Sequence, residues 1–265
     1  IMYSEVHNFE KAEAAFKKVI QLDSTLALPW NNLGKVFADT RRFDSAETVF
    51  KKAIQLDSTT FIAWYNLGIM YSEVRNYKKA EATFKKAIQL DSSHALAWNN
   101  LGKVFADTRQ FEKAETTFEK AIQLDSSIAL TWNNLGKVYI DIRQFEKAEA
   151  TLKKAIQVDS TLSISWNNLS NVYYDTRRLS EAENALRNAT KFDSTFGLAW
   201  YNLACVQSLQ KVPEQAFNNL EQAIKNGYKE FDWIQKDDDL ALLRENKVKW
   251  NMLMQRYFPE KVNGK

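Results

Sequence analysis

The chain has a single cysteine, Cys205, so no disulfide can form within it. With only two histidines besides, His7 and His94, a Cys/His zinc site has too few ligands. Three prolines and seven glycines in 265 residues leave few positions for tight turns, which argues against sandwiches and barrels built from hairpins. No apolar run approaches the ~18 residues that a membrane-spanning helix needs. An excess of one charge is also missing. Thirty-six Lys and Arg face 33 Asp and Glu, a net +3, which gives no general reason to expect nucleic acid. There is no Gly-rich phosphate loop, no HExxH helix and no GxSxG elbow. No catalytic residue, metal ligand set or cofactor is assigned, and the chain is read as a non-enzyme.

What is present is a period. Trp recurs at 30, 64, 98, 132, 166 and 200, five consecutive intervals of 34. Three residues after each stands Leu (Leu33, Leu67, Leu101, Leu135, Leu169, Leu203), and sixteen after each stands Ala (Ala46, Ala80, Ala114, Ala148, Ala182, Ala216). A second Ala lies seven further on, from Ala53 to Ala223. Within a copy, Trp30, Leu33, Gly34 and Phe37 mark one face of a helix, and a new phase starts at Phe43, Ala46, Phe50 and Ala53. The unit is two helices of about 13–14 residues joined by a short turn. Small Gly34 and Ala46 allow close helix approach, and Trp30 and Phe50 fill the remaining space. Asp57 and Ser58, closing the second helix, can cap the next one.

These residues resemble the tetratricopeptide-repeat (TPR) family over roughly residues 1–226, with one regular departure. Ser stands at 58, 92, 126, 160 and 194, where Pro is common in that family. The resemblance implies an all-α, right-handed superhelical solenoid of antiparallel helix pairs. Full repeats are expected at 27–60, 61–94, 95–128, 129–162, 163–196 and 197–230, after a partial repeat at 1–26 that aligns as an excerpt of a longer array. His7 then falls in a turn. From Gly227 the period is lost, and residues 231–265, with Trp250, Leu253, Met254 and Tyr257 in one stripe, are expected to form a C-terminal helical cap.

By the same resemblance the first helices line a concave groove, with the residues one, two, five and nine after each Trp facing inward. Two after each Trp there is always Asn: Asn32, Asn66, Asn100, Asn134, Asn168 and Asn202. A carboxamide both donates and accepts, so it can pair with a peptide bond whatever its side chain. First helices about 10 Å apart would meet roughly every third residue of an extended peptide rising ~3.3 Å per residue. The row resembles the asparagine ladder in the TPR superhelix of O-linked N-acetylglucosamine transferase. Lys35, Lys103 and Lys137 stand five after Trp, and Asp39, Glu73, Asp107, Asp141 and Asp175 nine after, so the groove carries both signs. Arg41, Arg75, Arg109, Arg143 and Arg177 recur in the turn after the first helix, where a side chain can bond that helix's last carbonyls.

The function expected is a protein–protein interaction scaffold binding an extended peptide segment. The alternative is the substrate-recognition arm of a larger enzyme such as a glycosyltransferase. Partners are a protein or peptide rather than nucleic acid, the compartment expected is the cytoplasm, and the sequence leaves the oligomeric state open.

Overall fold

The computed structural model describes residues 2–262, with side chains from Asn8 onward. Ile1 and residues 263–265, the outermost parts of the expected partial repeat and cap, lie outside the described residues, as does the His7 side chain. The chain forms two compact units, Ile1–Ser126 and Ser127–Lys265. All regular structure among the described residues is helical.

The first unit holds α1 (Met2–Leu22) and three pairs: α2 (Ala27–Asp39) with α3 (Phe43–Leu56), α4 (Phe61–Glu73) with α5 (Tyr77–Leu90), and α6 (Ala95–Asp107) with α7 (Phe111–Leu124). The second unit holds α8 (Ala129–Asp141) with α9 (Phe145–Val158), α10 (Ser163–Asp175) with α11 (Leu179–Phe192), and α12 (Gly197–Leu209) with α13 (Pro213–Lys225). First helices have 13 residues, and the second helices α3, α5, α7, α9 and α11 have 14. One expectation fails at the start. α1 runs unbroken from Met2 through position 7 to Leu22, so no turn separates two helices there.

Packing follows the small–large pairing. All twelve repeated alanines, Ala46 and Ala53 through Ala216 and Ala223, are fully buried. Gly34 lies beneath the Phe50 ring so closely that a Cβ there would stand 2.6 Å from it, and Gly68 and Gly102 meet Phe84 and Phe118 in the same way. Each of those three Phe side chains is fully buried. Each turn between paired helices closes on a residue in the left-handed region: Arg41, Arg75, Arg109, Arg143, Arg177 and Lys211, with φ from 57° to 64°. In the first pair the backbone N–H groups of Arg41 and Arg42 donate to the carbonyls of Ala38 and Phe37, both at 2.8 Å. The last carbonyls of the helix are thus satisfied by backbone, not by the guanidinium the sequence suggested.

The loops between repeats differ from expectation too. Asp57 caps nothing ahead of it. Its Oδ1 accepts from the Thr59 N–H (2.9 Å) and hydroxyl (2.6 Å), which folds the loop on itself, and Asp23, Asp91, Asp159 and Asp193 do the same with Thr25, Ser93, Thr161 and Thr195. The N-cap of α4 is Thr60, and it makes no side-chain capping bond. Ser58 contributes its carbonyl, which accepts from the Trp64 indole at 3.1 Å; Trp30, Trp98, Trp166 and Trp200 repeat this bond to the Ser six residues back.

The tail consists of α14 (Phe231–Lys236), a 3₁₀ turn at Asp238–Leu240, α15 (Ala241–Glu245), α16 (Lys247–Tyr257) and α17 (Pro259–Val262). Ile234, Leu240, Leu243, Trp250, Leu253 and Met254 are buried in one cluster with Phe217, Leu220 and Ile224 of α13. That cluster covers the apolar face of the last repeat.

Candidate peptide-binding face

Within each unit, first helices lie against the first helices of neighbouring repeats, α2 on α4, α4 on α6 and α8 on α10, more closely than second helices approach one another. First helices therefore form the inner row of each unit, the face on which the candidate residues were expected.

The two Asn rows divide differently than periodicity implied. Residues one after Trp are buried rather than facing a groove, apart from half-buried Tyr65. Asn31, Asn99, Asn133 and Asn167 are only 2–3% exposed, and Tyr201 at the same phase is 3% exposed. Residues two after Trp are half-buried, apart from Asn168, which is buried. The rows are joined. The Asn66 carboxamide donates to Oδ1 of Asn31 (3.1 Å), Asn100 to the Tyr65 hydroxyl (3.1 Å), Asn168 to Asn133 (2.9 Å) and Asn202 to Asn167 (3.0 Å), each bond linking one repeat to the next across 35 residues. Inside a repeat, Asn31, Asn99 and Asn133 donate to the Oδ1 of Asn32, Asn100 and Asn134 at 3.1, 3.3 and 3.4 Å. The row one after Trp, expected to face the groove, thus orients the row two after Trp instead. Its signal was that only Asn or Tyr, both oxygen-bearing, occupies that phase. A primary amide has two N–H groups and two carbonyl lone pairs. Each of these bonds uses one such group, so Asn32, Asn66, Asn100 and Asn202 keep capacity for a peptide.

Lys35, Lys103 and Lys137 are exposed, and Lys137 pairs with Asp141 at 3.0 Å on the same helix. Asn100, Lys103 and Asp107 of α6 line a groove of about 210 Å³ with Ile69, Ser72 and Glu73 of α4. Arg41, Arg75, Arg109, Arg143 and Arg177 are exposed at the turn tips.

The second unit has a larger cavity, about 470 Å³, between α10, α12 and the tail, reached by Tyr174, Asn202, Cys205, Trp233, Asp237 and Asp239. Here the tail meets the first helices. The Tyr174 hydroxyl donates to Oδ2 of Asp239 at 2.6 Å, and the Tyr201 hydroxyl and, at 3.6 Å, the Cys205 thiol donate to Oδ2 of Asp237. Cys205, Asp237 and Asp239 are the one group of three possible metal ligands among the described residues, their donor atoms within 4.8 Å of one another. Burial first, then the Asp237 charge, pushes the Cys205 thiol well above its usual range, so it stays a neutral donor. The hydroxyls of Tyr174 and Tyr201 already occupy carboxylate oxygens of the two aspartates, an arrangement of a hydrogen-bonded tail anchor more than of open ligands. No helix among the described residues is long and apolar enough to cross a membrane.

The sequence matches two family models. One, described as the Cilia and flagella-associated protein 70 C-terminal domain, covers residues 58–195, and one described as Tetratricopeptide repeat covers residues 28–60. No curated protein matches. Among solved structures, the Cut9–Hcn1 hetero-tetramer of APC/C aligns with a TM-score of 0.73 at 17% identity, over 89% of this chain and 46% of that one, so this chain spans less than half of its length. PilF of Pseudomonas aeruginosa aligns with a TM-score of 0.67 at 15% identity, over 91% of this chain and 99% of that one. YrrB, described as a TPR protein with an unusual peptide-binding site, aligns with a TM-score of 0.52 at 25% identity, over 69% of this chain and 94% of that one. The first two likenesses are of fold alone. With more than half of its length matched by the first family model and a further repeat by the second, the chain belongs to the tetratricopeptide-repeat family, within the group described as the C-terminal domain of cilia and flagella-associated protein 70.

Proposed function

We propose that the chain is a non-catalytic protein-interaction scaffold that holds an extended segment of a partner protein along its first helices. The observation that carries this reading is the half-buried carboxamide row. Asn66 and Asn202 are held from behind by buried Asn31 and Asn167, and Asn100 by half-buried Tyr65, and these three carboxamides have more donors and acceptors than those bonds use. A rigid, pre-oriented amide binds peptide backbone with little ordering cost, and its indifference to side chains suits a scaffold. Lys35, Lys103 and Lys137 then bias the choice of side chains, and the groove at Asn100 and Lys103 offers room for one. The YrrB likeness supports the reading, since that protein is described as having a peptide-binding site.

The test uses extended peptides selected from a random displayed library on the intact chain, titrated against Asn100→Ala/Asn134→Ala with circular dichroism of the same samples. Each amide contact contributes a net ~0.5–1.5 kcal/mol, so the double variant should bind ~5- to 150-fold more weakly with helicity retained. Lys103→Ala should instead shift preference away from acidic peptides and flatten the salt dependence. Unchanged affinity in the Asn variant would remove the ladder from the function.

A further inference from the structure

The first-helix face loses its lysines along the sequence. Five after Trp stand Lys35, Lys103 and Lys137, but the last two copies carry Asn171 and Cys205 there. Nine after Trp the acidic series ends at Asp175, with Leu209 in the last copy. In place of these groups the tail brings Asp237, Asp238 and Asp239 to the cavity at Cys205, against a single wall ammonium, Lys236.

The carboxylates are positioned but not neutralised. Asp237 accepts from the Tyr201 hydroxyl and the Asp239 N–H, and Asp239 accepts from the Tyr174 hydroxyl, all uncharged donors. The Arg244 guanidinium goes to the backbone carbonyl of Asp237, at 2.6 Å, rather than to a carboxylate. Among the described residues, none of the three aspartates makes an ion pair. Burial raises the Asp239 carboxyl above its ordinary range, with a further push from Asp237, against the Tyr174 hydrogen bond and, less strongly, Arg177. A half-buried carboxylate held by neutral donors is stabilised by an arriving cation.

A second observation stands apart from the acids. Trp233 lines the same cavity and is 61% exposed, although the neighbouring Ile234 on its six-residue helix is fully buried. An open indole face beside carboxylates is a favourable setting for a cationic side chain, which stacks on the ring while its N–H groups reach the oxygens.

We propose that this cavity holds a basic side chain of the partner segment, with arginine preferred over lysine because its planar guanidinium can stack on Trp233 and fork onto carboxylate oxygens together. The proposal rests on the peptide-scaffold reading and adds the chemistry of one subsite. The cavity, about 470 Å³, is ample for one long side chain. Lys35, Lys103 and Lys137 would then select acidic residues elsewhere in the same segment.

The test titrates N-acetyl-arginine amide, and its neutral analogue N-acetyl-citrulline amide, into the intact chain. Binding is read from the indole N–H resonance of Trp233, assigned with Trp233→Phe. The arginine probe should give a saturable shift and bind at least about tenfold more tightly than citrulline, the worth of a charge-assisted hydrogen bond. Asp239→Asn, which keeps an acceptor for Tyr174, should abolish that difference, and exposed Asp238→Asn should narrow it should the first variant fold poorly. Trp233→Ala should weaken arginine binding ~2- to 5-fold with the melting curve unchanged. Equal binding of the two probes, or no saturable shift, would overturn the proposal. Selected peptides that bind without moving Trp233 and without an arginine preference would sink the subsite and leave the groove reading standing. Arginine amide binding to a chain that captures no extended peptide would do the reverse.

Discussion

Asn168 on α10 donates its carboxamide N–H to Oδ1 of Asn133 on α8, 2.9 Å away, and both side chains are buried. The same oxygen accepts the Ser165 hydroxyl at 3.2 Å. One acceptor therefore serves two donors of the next repeat, and a row expected to serve only a ligand also couples repeat to repeat. Stability in such arrays is a sum of repeat terms and nearest-neighbour terms, so a bond of this kind belongs to the second class.

Asn133→Ala should therefore destabilise more than Asn66→Ala. The first strands two buried donors, at a cost of ~1–3 kcal/mol. The second removes a half-buried donor that water can replace in part, at ~0.5–1.5 kcal/mol. Urea unfolding of both variants gives the ordering. Equal midpoints would mean that the buried bonds at Asn133 contribute no more than the half-buried one at Asn66.

Acid should weaken the array through its second helices. Lys51 first, with Tyr71 and Lys79, holds the Glu47 carboxyl down at about 2 from the usual 4.5. At Glu149 the Arg178 guanidinium leads, with Lys153, and brings it to about 2 as well. A carboxyl depressed on folding contributes stability that is complete above its unfolded value and is lost as pH falls through its folded one. The loss should thus run from the ordinary 4.5 down towards 2. Comparing unfolding midpoints near pH 6 and pH 3 should show a smaller drop in Glu47→Gln/Glu149→Gln than in the parent chain. The same drop in both would place the acid sensitivity elsewhere.

Ending the chain at residue 230 should bare Phe217, Leu220 and Ile224, which now pack against Ile234, Leu240, Leu243 and Trp250. An exposed apolar face of this kind drives association or fraying. Light scattering should report aggregation, or hydrogen exchange should show α13 losing protection ahead of α8. A monomeric truncation with unchanged protection in α13 would mean that the tail does not cap the array.

Which features were legible in the sequence follows from their range. Trp30 with Leu33, and Ala46 with Ala53, repeat at helical spacing, and helical phase is a local property, so helix number, length and pairing could be read directly. The fit of Phe50 over Gly34 was legible for the same reason, since sixteen residues of helix–turn–helix leave little freedom. Loop chemistry was less so. Asp57 had candidate partners in its own loop and at the start of the next helix, and only the loop's conformation chose Thr59.

The sequence by itself determined an all-helical repeat with a 34-residue period, buried alanine crossings and a row of asparagines on the first helices. Tertiary structure decided which asparagines face outward, because a bond across 35 residues depends on how far each repeat is offset from the last, and phase within one helix carries no record of that offset. It also decided that Asp239 meets Tyr174, 65 residues away, since the tail has no period from which its docking could be read. Helical phase is set by bonds within a few residues, whereas the acidic cavity exists only once the tail has packed on the last repeat.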